Sequence, residues 1–334
     1  MKQWEIQSFG RLGLVERDDP SPGHREVLVR VRAVSLNYRD LRLLEGTYNP
    51  KLPLPSVPCS DMVGEVAEVG RGVTRFRAGD RVIASFVQGW PAGRLSRVHQ
   101  NTALAMPLPG VLCTHRVFEE EGLVRAPEHL DDAAASTLPC AALTAWHALV
   151  DHGRLSAGQT VLVQGTGGVS IFALQIARMM GAQVIATTGR AERVARLRAL
   201  GAHHVIDYKV DAEWGRTAKQ LAGGAGVDHV VEVGGAGTLA QSVRAVAPGG
   251  NVYVIGVLAG SVEPFNVMPV LMNEVRLQGV FVGPKESLEA MCNAFCTNVI
   301  HPIVDRVFPF DDAPGAFAHM REGAHFGKVV IAVG

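Results

Sequence analysis

The sequence of 334 residues predicts an α/β protein in which a β-rich part precedes a doubly wound parallel sheet with helices on both faces. Two patterns carry this prediction. Residues 1–125 form short, alternating apolar and polar runs separated by glycine, whereas strand-like and helix-like segments alternate after residue 131. A chain of this length is long enough for two domains with separate cores.

The β-rich part is identified by its period-two pattern. In REVLVRVRAVSL, the odd-numbered positions from Val27 to Ala33 are apolar and their neighbours are mostly polar, as in a half-buried strand. The stretches DMVGEVAEVGRGV and RFRAGDRVIASF predict further short strands. Proline and glycine crowd residues 46–58 and 89–110, which predicts long surface loops there.

The second half is identified by its alternation of strands and helices. The predicted strands cover residues 160–164, 183–187, 204–207, 227–233, 251–256 and 276–283. The predicted helices fill the gaps at 169–180, 191–200, 212–222 and 238–246. Gly181 and Gly201 fall where helix C-caps are expected. This order is typical of a parallel sheet.

Composition excludes several classes of partner. Lys+Arg and Asp+Glu are both 32, so the net charge of +0 argues against a nucleic-acid partner. We see neither a signal peptide nor an apolar run long enough for a membrane span. The cysteines are scattered without a CxxC pair, which favours a reducing, cytoplasmic compartment without disulfides.

A glycine loop follows the first strand of the second half, in VLVQGTGGVS. It reads Gly165-Thr166-Gly167-Gly168-Val169 and then Ser170, where the dinucleotide fingerprint has its third glycine. The first glycine permits a tight turn, and the second lets the backbone approach a pyrophosphate at a helix N-terminus. The loop predicts dinucleotide binding; the alternative is a glycine-rich turn that binds nothing.

The next strand selects between the two nicotinamide dinucleotides. An NAD site places Asp or Glu at its end, whereas Thr188 occupies that place in QVIATTGRAER. Arg190 and Arg193 follow, and guanidinium groups favour a 2′-phosphate. The sequence therefore predicts NADP(H), unless both arginines are solvated residues at a helix start.

Several motifs together resemble the medium-chain dehydrogenase/reductase superfamily, and within it the zinc-independent quinone oxidoreductase branch, many of whose relatives carry the name alcohol dehydrogenase. The motifs are GEVAEVGRGVTRFRAGDRV, LPCAALTAWHALV, VLVQGTGGVS, LGAHHVIDY, GVDHVVEVGG, GGNVYVIGV and the terminal GKVV. The resemblance implies a GroES-like catalytic domain over 1–130, completed by 273–334. It implies a Rossmann domain over 131–272.

The resemblance also bears on zinc. Zinc enzymes of this superfamily hold the catalytic ion with two cysteines and a histidine, and those places read Asn37, Ser60 and Cys140 here. Asp61 takes the place of a glutamate, and Cys59 lies one residue from the histidine position. One thiolate does not make a three-ligand site, so we expect no metal.

Without a Lewis acid, a conjugated acceptor is easier to reduce than a simple ketone, provided a neutral donor serves the developing anion. Tyr48 resembles the proton-donor tyrosine that some enoyl reductases carry in a G-x-Y setting. By resemblance Asn37 and Tyr38 hydrogen-bond the substrate carbonyl. The alternative for Tyr48 is that it packs its own loop. For Asp40 the alternatives are a catalytic role, capping of the following helix and orientation of Arg39.

The resemblance assigns further cofactor contacts. Thr144 and the segment Phe281-Val282-Gly283 belong beside the nicotinamide, Tyr208 near the adenine ribose, and Lys328 at the diphosphate or ribose. The remaining residues end the fourth and fifth strands: Gly234, Gly235, Gly256 and Val257. Simple turn geometry is the alternative for each glycine.

These observations predict an NADPH-dependent reductase of quinones or α,β-unsaturated carbonyl compounds. The alternatives are a metal-free alcohol or aldehyde dehydrogenase, and a non-catalytic NADPH-binding protein. We also expect a homodimer, in which the stretches NVYVIGV and RLQGVFVG act as edge strands that pair across a two-fold axis.

Overall fold

The computed structural model describes residues 1–334 and divides into two compact units. The first unit comprises Met1–Leu143 and Gly283–Gly334, and the second comprises Thr144–Val282. The boundaries thus follow Leu143 and Val282, whereas the sequence places them after residues 130 and 272. The difference has local causes: Cys140 N–H bonds to Asp61 of the first unit, and residues 276–279 pair with a strand of the second.

The strands are β1 Lys2–Ser8, β2 Arg11–Glu16, β3 Glu26–Ser35, β4 Asp61–Val69, β5 Arg81–Ala84, β6 His115–Glu119, β7 Leu123–Arg125, β8 Thr160–Gln164, β9 Gln183–Thr188, β10 His204–Asp207, β11 Val227–Glu232, β12 Val246–Val254, β13 Arg276–Gly279, β14 Val304–Pro309 and β15 Lys328–Ala332. The α-helices are α1 Tyr38–Leu44, α2 Arg97–Gln100, α3 Asp132–Ala135, α4 Leu143–Trp146, α5 Gly168–Met179, α6 Val194–Ala199, α7 Trp214–Leu221, α8 Ala236–Ala245, α9 Met268–Met272, α10 Lys285–Thr297 and α11 Ala313–Arg321. Wider π-helical turns flank α4 at Leu138–Ala142 and His147–His152. None of these helices has the length and apolar character needed to cross a membrane.

A mostly antiparallel sheet organises the first unit, with strand order β14-β15-β3-β4-β5-β7 and β6 paired to β3. The alternation predicted for β3 is confirmed, because Val27, Val29 and Val31 are buried in the core. The C-terminal strand β15 pairs antiparallel with β3, with Val330 opposite Ser35. Residues from the two ends of the chain are therefore neighbours at the end of β3.

A six-stranded parallel sheet forms the second unit, with strand order β10-β9-β8-β11-β12-β13. The predicted strands and helices of this region are confirmed, with ends that differ by a few residues. The chain runs outward from β8 to β10 and then restarts beside β8 with β11. The carboxyl ends of β8 and β11 therefore form the switch point at which such sheets bind ligands.

One expectation about the sheet edge is wrong. The stretch NVYVIGV contributes to β12, which pairs with β11 on one side and β13 on the other, so it is an interior strand. Only β13, from RLQGVFVG, lies at that edge. Period-two patterning does not distinguish an edge strand from its neighbour when both are apolar.

Candidate dinucleotide and active sites

The glycine loop joins β8 to the N-terminus of α5. Gly165 has a φ of 71°, a left-handed conformation that favours glycine. Gly167 has an ordinary φ of −76°, and a Cβ there would have no protein atom within 4 Å. Neither backbone strain nor protein packing explains glycine at 167, whereas close approach of a ligand does. The loop therefore fits a dinucleotide pyrophosphate, beside the helix N-terminus.

Ser170 occupies the place of the third glycine and has a structural role. It is buried, and its hydroxyl donates to the carbonyl of Gln164 at 2.5 Å. The hydrogen bond joins the first turn of α5 to the last residue of β8. A polar side chain is accepted here because its donor is satisfied within the protein.

The end of β9 carries the residues predicted for the ribose. Thr188 is buried, and its Oγ1 accepts a hydrogen bond from the Arg190 N–H at 3.2 Å. Arg193 donates from Nη1 to Thr166 Oγ1 of the glycine loop. The half-exposed ring of Tyr208 lies against Gly189, where a Cβ would meet ring atoms at 2.6 Å. The structure thus brings Arg193 to the glycine loop and Tyr208 to the end of β9.

Glu232, at the end of β11, was missed by the sequence reasoning. Its side chain is fully buried, and Oε1 accepts hydrogen bonds from the N–H groups of Gly234 at 2.7 Å and Gly235 at 2.9 Å, and from Thr238 Oγ1 at 2.6 Å. Oε2 accepts from Gln164 Nε2 at 2.7 Å and from Ser242 Oγ. A carboxylate directly before two glycines in VEVGG is the signal that could have identified it.

The glycines after β11 and β12 are explained by packing within the protein. A Cβ at Gly234 would meet Thr238 Oγ1 at 2.2 Å, and one at Gly235 would meet the Gly260 carbonyl oxygen at 2.5 Å. A Cβ at Gly256 would meet the Val233 carbonyl oxygen at 2.5 Å. Their proposed contact with the dinucleotide stays a prediction, as does that of the half-exposed Val257 next in the chain.

In the first unit, Asn37 lies two residues after the end of β3 and caps α1. Its N–H donates to Asp40 Oδ2 at 2.8 Å, so the helix-capping alternative for Asp40 describes the structure. Its Oδ1 accepts from Lys328 Nζ at 2.6 Å, and the same ammonium donates to the Leu36 carbonyl at 2.6 Å. The exposed fractions of Asn37 and Lys328 are only 8% and 3%.

This places Lys328 differently from the sequence expectation. The resemblance puts its ammonium at the diphosphate or ribose, whereas in the structure the ammonium is buried and hydrogen-bonded within the first unit. The pairing of β15 with β3 is the cause, because Leu36 N–H donates to the Val329 carbonyl and sets Lys328 beside Asn37.

Two buried carboxyl groups surround this pair. Burial raises the pKa of Asp40 to about 6, an effect that the positive charge of Arg39 opposes. Burial also raises the pKa of Asp61, opposed by the charge of Lys328 and by a 2.7 Å hydrogen bond from Ser60 Oγ. Buried ionisable groups need charge partners and hydrogen bonds, and Lys328 is the ammonium within their reach.

The side chains at the positions where zinc enzymes of the superfamily hold the metal do not fit zinc in this chain. An amide, a hydroxyl and a thiol stand there, from Asn37, Ser60 and Cys140. Burial raises the pKa of the Cys140 thiol well above its usual range. No three His, Cys, Asp or Glu side chains in the chain are placed to hold a metal ion. Catalytic zinc needs three such ligands.

The two tyrosines predicted to act in catalysis are half-exposed. Tyr38 begins α1, and Tyr48 follows the helix with its N–H bonded to the Arg42 carbonyl at 3.0 Å. The Arg39 guanidinium lies 5.6 Å from the centre of the Tyr48 ring and 4.5 Å from that of Phe86. Arg39 thereby links the Tyr48 loop to the helix turn that carries Asn37.

The other predicted nicotinamide contacts lie at the unit boundaries. Thr144 is buried, in α4. Phe281 is partly buried, and Val282 and Gly283 are buried. Val282 has a φ of 50°, a left-handed conformation that is rare for a β-branched residue. The roles of these residues stay predictions.

Two family profiles match the chain. The profile of the alcohol dehydrogenase GroES-like domain matches residues 23–128, and that of zinc-binding dehydrogenases matches residues 168–296. A solved structure described as a putative alcohol dehydrogenase from Sinorhizobium meliloti has 44% identity and a TM-score of 0.94, over 99% of this chain and 98% of that one. The shared fold thus includes both units.

Curated relatives span nearly the whole chain. A zinc-type alcohol dehydrogenase-like protein of Schizosaccharomyces pombe is 38% identical, over 98% of this chain and 97% of the relative. A quinone oxidoreductase of Rattus norvegicus is 28% identical, over 93% of this chain and 90% of the relative. An acryloyl-coenzyme A reductase of Metallosphaera sedula is also 28% identical, over 95% of each chain.

Proposed function

We propose that this chain reduces quinones or α,β-unsaturated carbonyl compounds with NADPH and without zinc. The chain belongs to the medium-chain dehydrogenase/reductase superfamily and is a nicotinamide-dependent oxidoreductase. The observation that carries the proposal is that Asn37, Ser60 and Cys140 place an amide, a hydroxyl and a thiol where zinc enzymes of the superfamily hold the metal, and that Lys328 hydrogen-bonds the Asn37 amide oxygen. The amide nitrogen of Asn37 can donate a hydrogen bond to an oxygen anion, but none of these three side chains acts as a Lewis acid. The names of the quinone oxidoreductase and acryloyl-coenzyme A reductase relatives support conjugated acceptors.

We infer that NADPH is held by the second unit. The N–H groups of the glycine loop and the N-terminus of α5 suit the pyrophosphate. Arg193, Arg190 and Thr188 suit the 2′-phosphate, because guanidinium groups pair with phosphate and Thr188 adds no negative charge. Bound NADPH supplies the hydride.

The residues of the first unit act on the acceptor. Asn37 Nδ2 donates a hydrogen bond to the carbonyl or quinone oxygen, on which negative charge develops. The Tyr48 hydroxyl, which is half-exposed and therefore accessible, donates the proton that neutralises the enolate or hydroquinone anion. Tyr38, at the start of the same helix, assists in binding the acceptor. A simple ketone gives an alkoxide, a stronger base that these neutral donors stabilise less.

We also propose that the protein acts as a homodimer. Exposed apolar side chains cluster in sequence around β13 and α9: Leu258, Val267, Met268, Leu271, Met272 and Leu277. An edge strand flanked by so many exposed apolar residues suits pairing with a second copy of the chain. Light scattering tests this, and a mass of one 35.6 kDa chain in solution contradicts it.

We place the protein in a reducing cytoplasm. The cysteines are all free in the structure, and four of the five are at least partly buried. Burial raises the pKa of Cys113 to about 11 and keeps that thiol protonated and unreactive.

The test of the function is a panel of acceptors offered to chelator-treated protein with NADPH: a quinone, an enone and a plain ketone, followed by NADPH absorbance. Turnover of the quinone or enone without the ketone supports the proposal. Turnover of the ketone alone indicates an alcohol or aldehyde dehydrogenase, and tight NADPH binding without turnover indicates a non-catalytic binding protein. A Tyr48→Phe variant that matches the wild-type protein on the enone contradicts the proton-donor role.

A further inference from the structure

The hydrogen bond from Lys328 fixes which end of the Asn37 carboxamide is oxygen. An ammonium only donates, so the atom 2.6 Å from Nζ must be the Asn37 oxygen. An amide by itself leaves the positions of oxygen and nitrogen open, and its neighbours decide between them. The nitrogen therefore lies on the side away from Lys328.

The Asn37 nitrogen is held ready to donate. Nδ2 is buried and makes no hydrogen bond of normal geometry. The Asn37 amide faces the Asp61 carboxyl group: burial raises the pKa of Asp61, and Lys328, Ser60 and a hydrogen bond from the Asn37 side chain each oppose that rise. An amide nitrogen carries two N–H groups, so one is left for a ligand atom while the other faces Asp61.

From this geometry we propose that Lys328 is a positioning residue for the reaction, one that holds the Asn37 carboxamide with Nδ2 towards the oxygen of a quinone or enone acceptor. The inference rests on the proposed function. It replaces the role at the dinucleotide diphosphate expected from the sequence. Lys328 touches neither acceptor nor dinucleotide and acts through Asn37.

The fold supports a fixed rather than a mobile lysine. Lys328 is the first residue of β15, and its ammonium is also anchored to the Leu36 carbonyl at 2.6 Å. Asn37 is anchored through its backbone N–H to Asp40. With both partners held by main-chain contacts, the carboxamide has one orientation that satisfies the ammonium.

The test compares Lys328→Met, which removes the donor, with Lys328→Gln, which keeps an N–H donor on a shorter side chain. We expect the single-turnover rate of hydride transfer to fall roughly 10–100-fold in Lys328→Met, less than the roughly 100–1,000-fold for loss of an oxyanion donor itself because Asn37 remains, and to fall less still in Lys328→Gln. The Kd for NADPH, measured by fluorescence titration, stays within about threefold of the wild-type value because Lys328 does not touch the dinucleotide. A tenfold or larger rise in Kd with an unchanged rate overturns the proposal and assigns Lys328 to the diphosphate.

Lys285→Met is the matched control. Lys285 is a second buried lysine of the first unit, but its partner is Glu121. Its loss tests the cost of removing a buried ammonium elsewhere. A rate loss in Lys285→Met equal to that in Lys328→Met shows a general structural effect and contradicts the positioning role.

A second readout does not depend on turnover. In protein labelled with ¹⁵N-asparagine, the Asn37 side-chain resonance is assigned by its absence in Asn37→Asp. We expect it to shift in Lys328→Met and to remain in place in Lys285→Met, without any acceptor present. An unchanged resonance in Lys328→Met overturns the proposal. If the resonance shifts in Lys328→Met but the wild-type protein reduces no acceptor, only the proposed function is overturned.

Discussion

Gln164 donates a hydrogen bond to Glu232, with 2.7 Å between Nε2 and Oε2, across the two strands at which the order of the parallel sheet reverses. Gln164 directly precedes the glycine loop, and Glu232 holds the Gly234–Gly235 turn through its other oxygen. One buried contact therefore couples the two loops that flank the switch point. Parallel sheets of this type bind their ligands there.

The Glu232→Gln variant is predicted to lose stability. Glu232 accepts every hydrogen bond it makes, so an amide nitrogen in place of either oxygen faces a donor. Leaving a buried donor unsatisfied costs about 1–3 kcal/mol of unfolding free energy, which urea denaturation measures. The control is Glu213→Gln, which breaks an exposed ion pair with Arg244 and changes stability by less than about 1 kcal/mol. Equal losses in the two variants contradict the role of Glu232.

The Gly167→Ala variant is predicted to fold normally and to bind NADPH weakly. The backbone angle accepts alanine and the Cβ would meet no protein atom, so stability stays within about 0.5 kcal/mol of the wild-type value. The methyl group blocks approach of the pyrophosphate, and Kd rises about tenfold or more. Gly279→Ala is the control, because a Cβ there also meets open space, outside the loop. Unchanged affinity in Gly167→Ala contradicts the placement of the pyrophosphate.

The Arg193→Met variant is predicted to lose the preference for NADPH. In the wild-type protein the Arg193 guanidinium is held at the glycine loop by its hydrogen bond to Thr166, where it can pair with the 2′-phosphate. We expect Kd for NADPH to rise about tenfold and Kd for NADH to change little, since a charged pair with phosphate is lost. Arg198→Met, in the last turn of α6, serves as the control. Parallel weakening of both dinucleotides would show that Arg193 binds a part they share.

Asp40 is predicted to make stability depend on pH. Its pKa in the folded protein is raised from 3.8 to about 6, chiefly by burial, although Arg39 and Lys328 oppose the rise. The folded state therefore holds a proton more tightly than the unfolded state, and stability falls as pH rises from about 4 to about 6. Asp40→Asn removes the titrating carboxyl group and with it this loss of stability. The unfolding free energy of the variant relative to that of wild type should therefore rise by about 2–3 kcal/mol over that pH range and then level off. A difference that stays constant with pH contradicts the raised pKa.

Local patterns predicted the second unit well. The alternation of strands and helices and the glycine loop are encoded in consecutive residues, so Gly165 and Gly167 lie where the sequence places them. The Asn37–Lys328 contact joins residues 291 positions apart and depends on the pairing of β15 with β3. Nothing local in GKVV distinguishes a lysine that faces a diphosphate from one that turns inward. The unit boundaries differ for the same reason, since tertiary contacts decide them.

The proposed function depends on reduction of a conjugated acceptor without zinc. The most direct measurement is the rate of NADPH oxidation with a quinone by metal-stripped protein, before and after addition of stoichiometric zinc, with the metal content determined in parallel. We expect turnover by the metal-free protein and no gain with zinc, because Asn37, Ser60 and Cys140 do not form a zinc site. Activity that appears only when one zinc ion is bound per chain would contradict it.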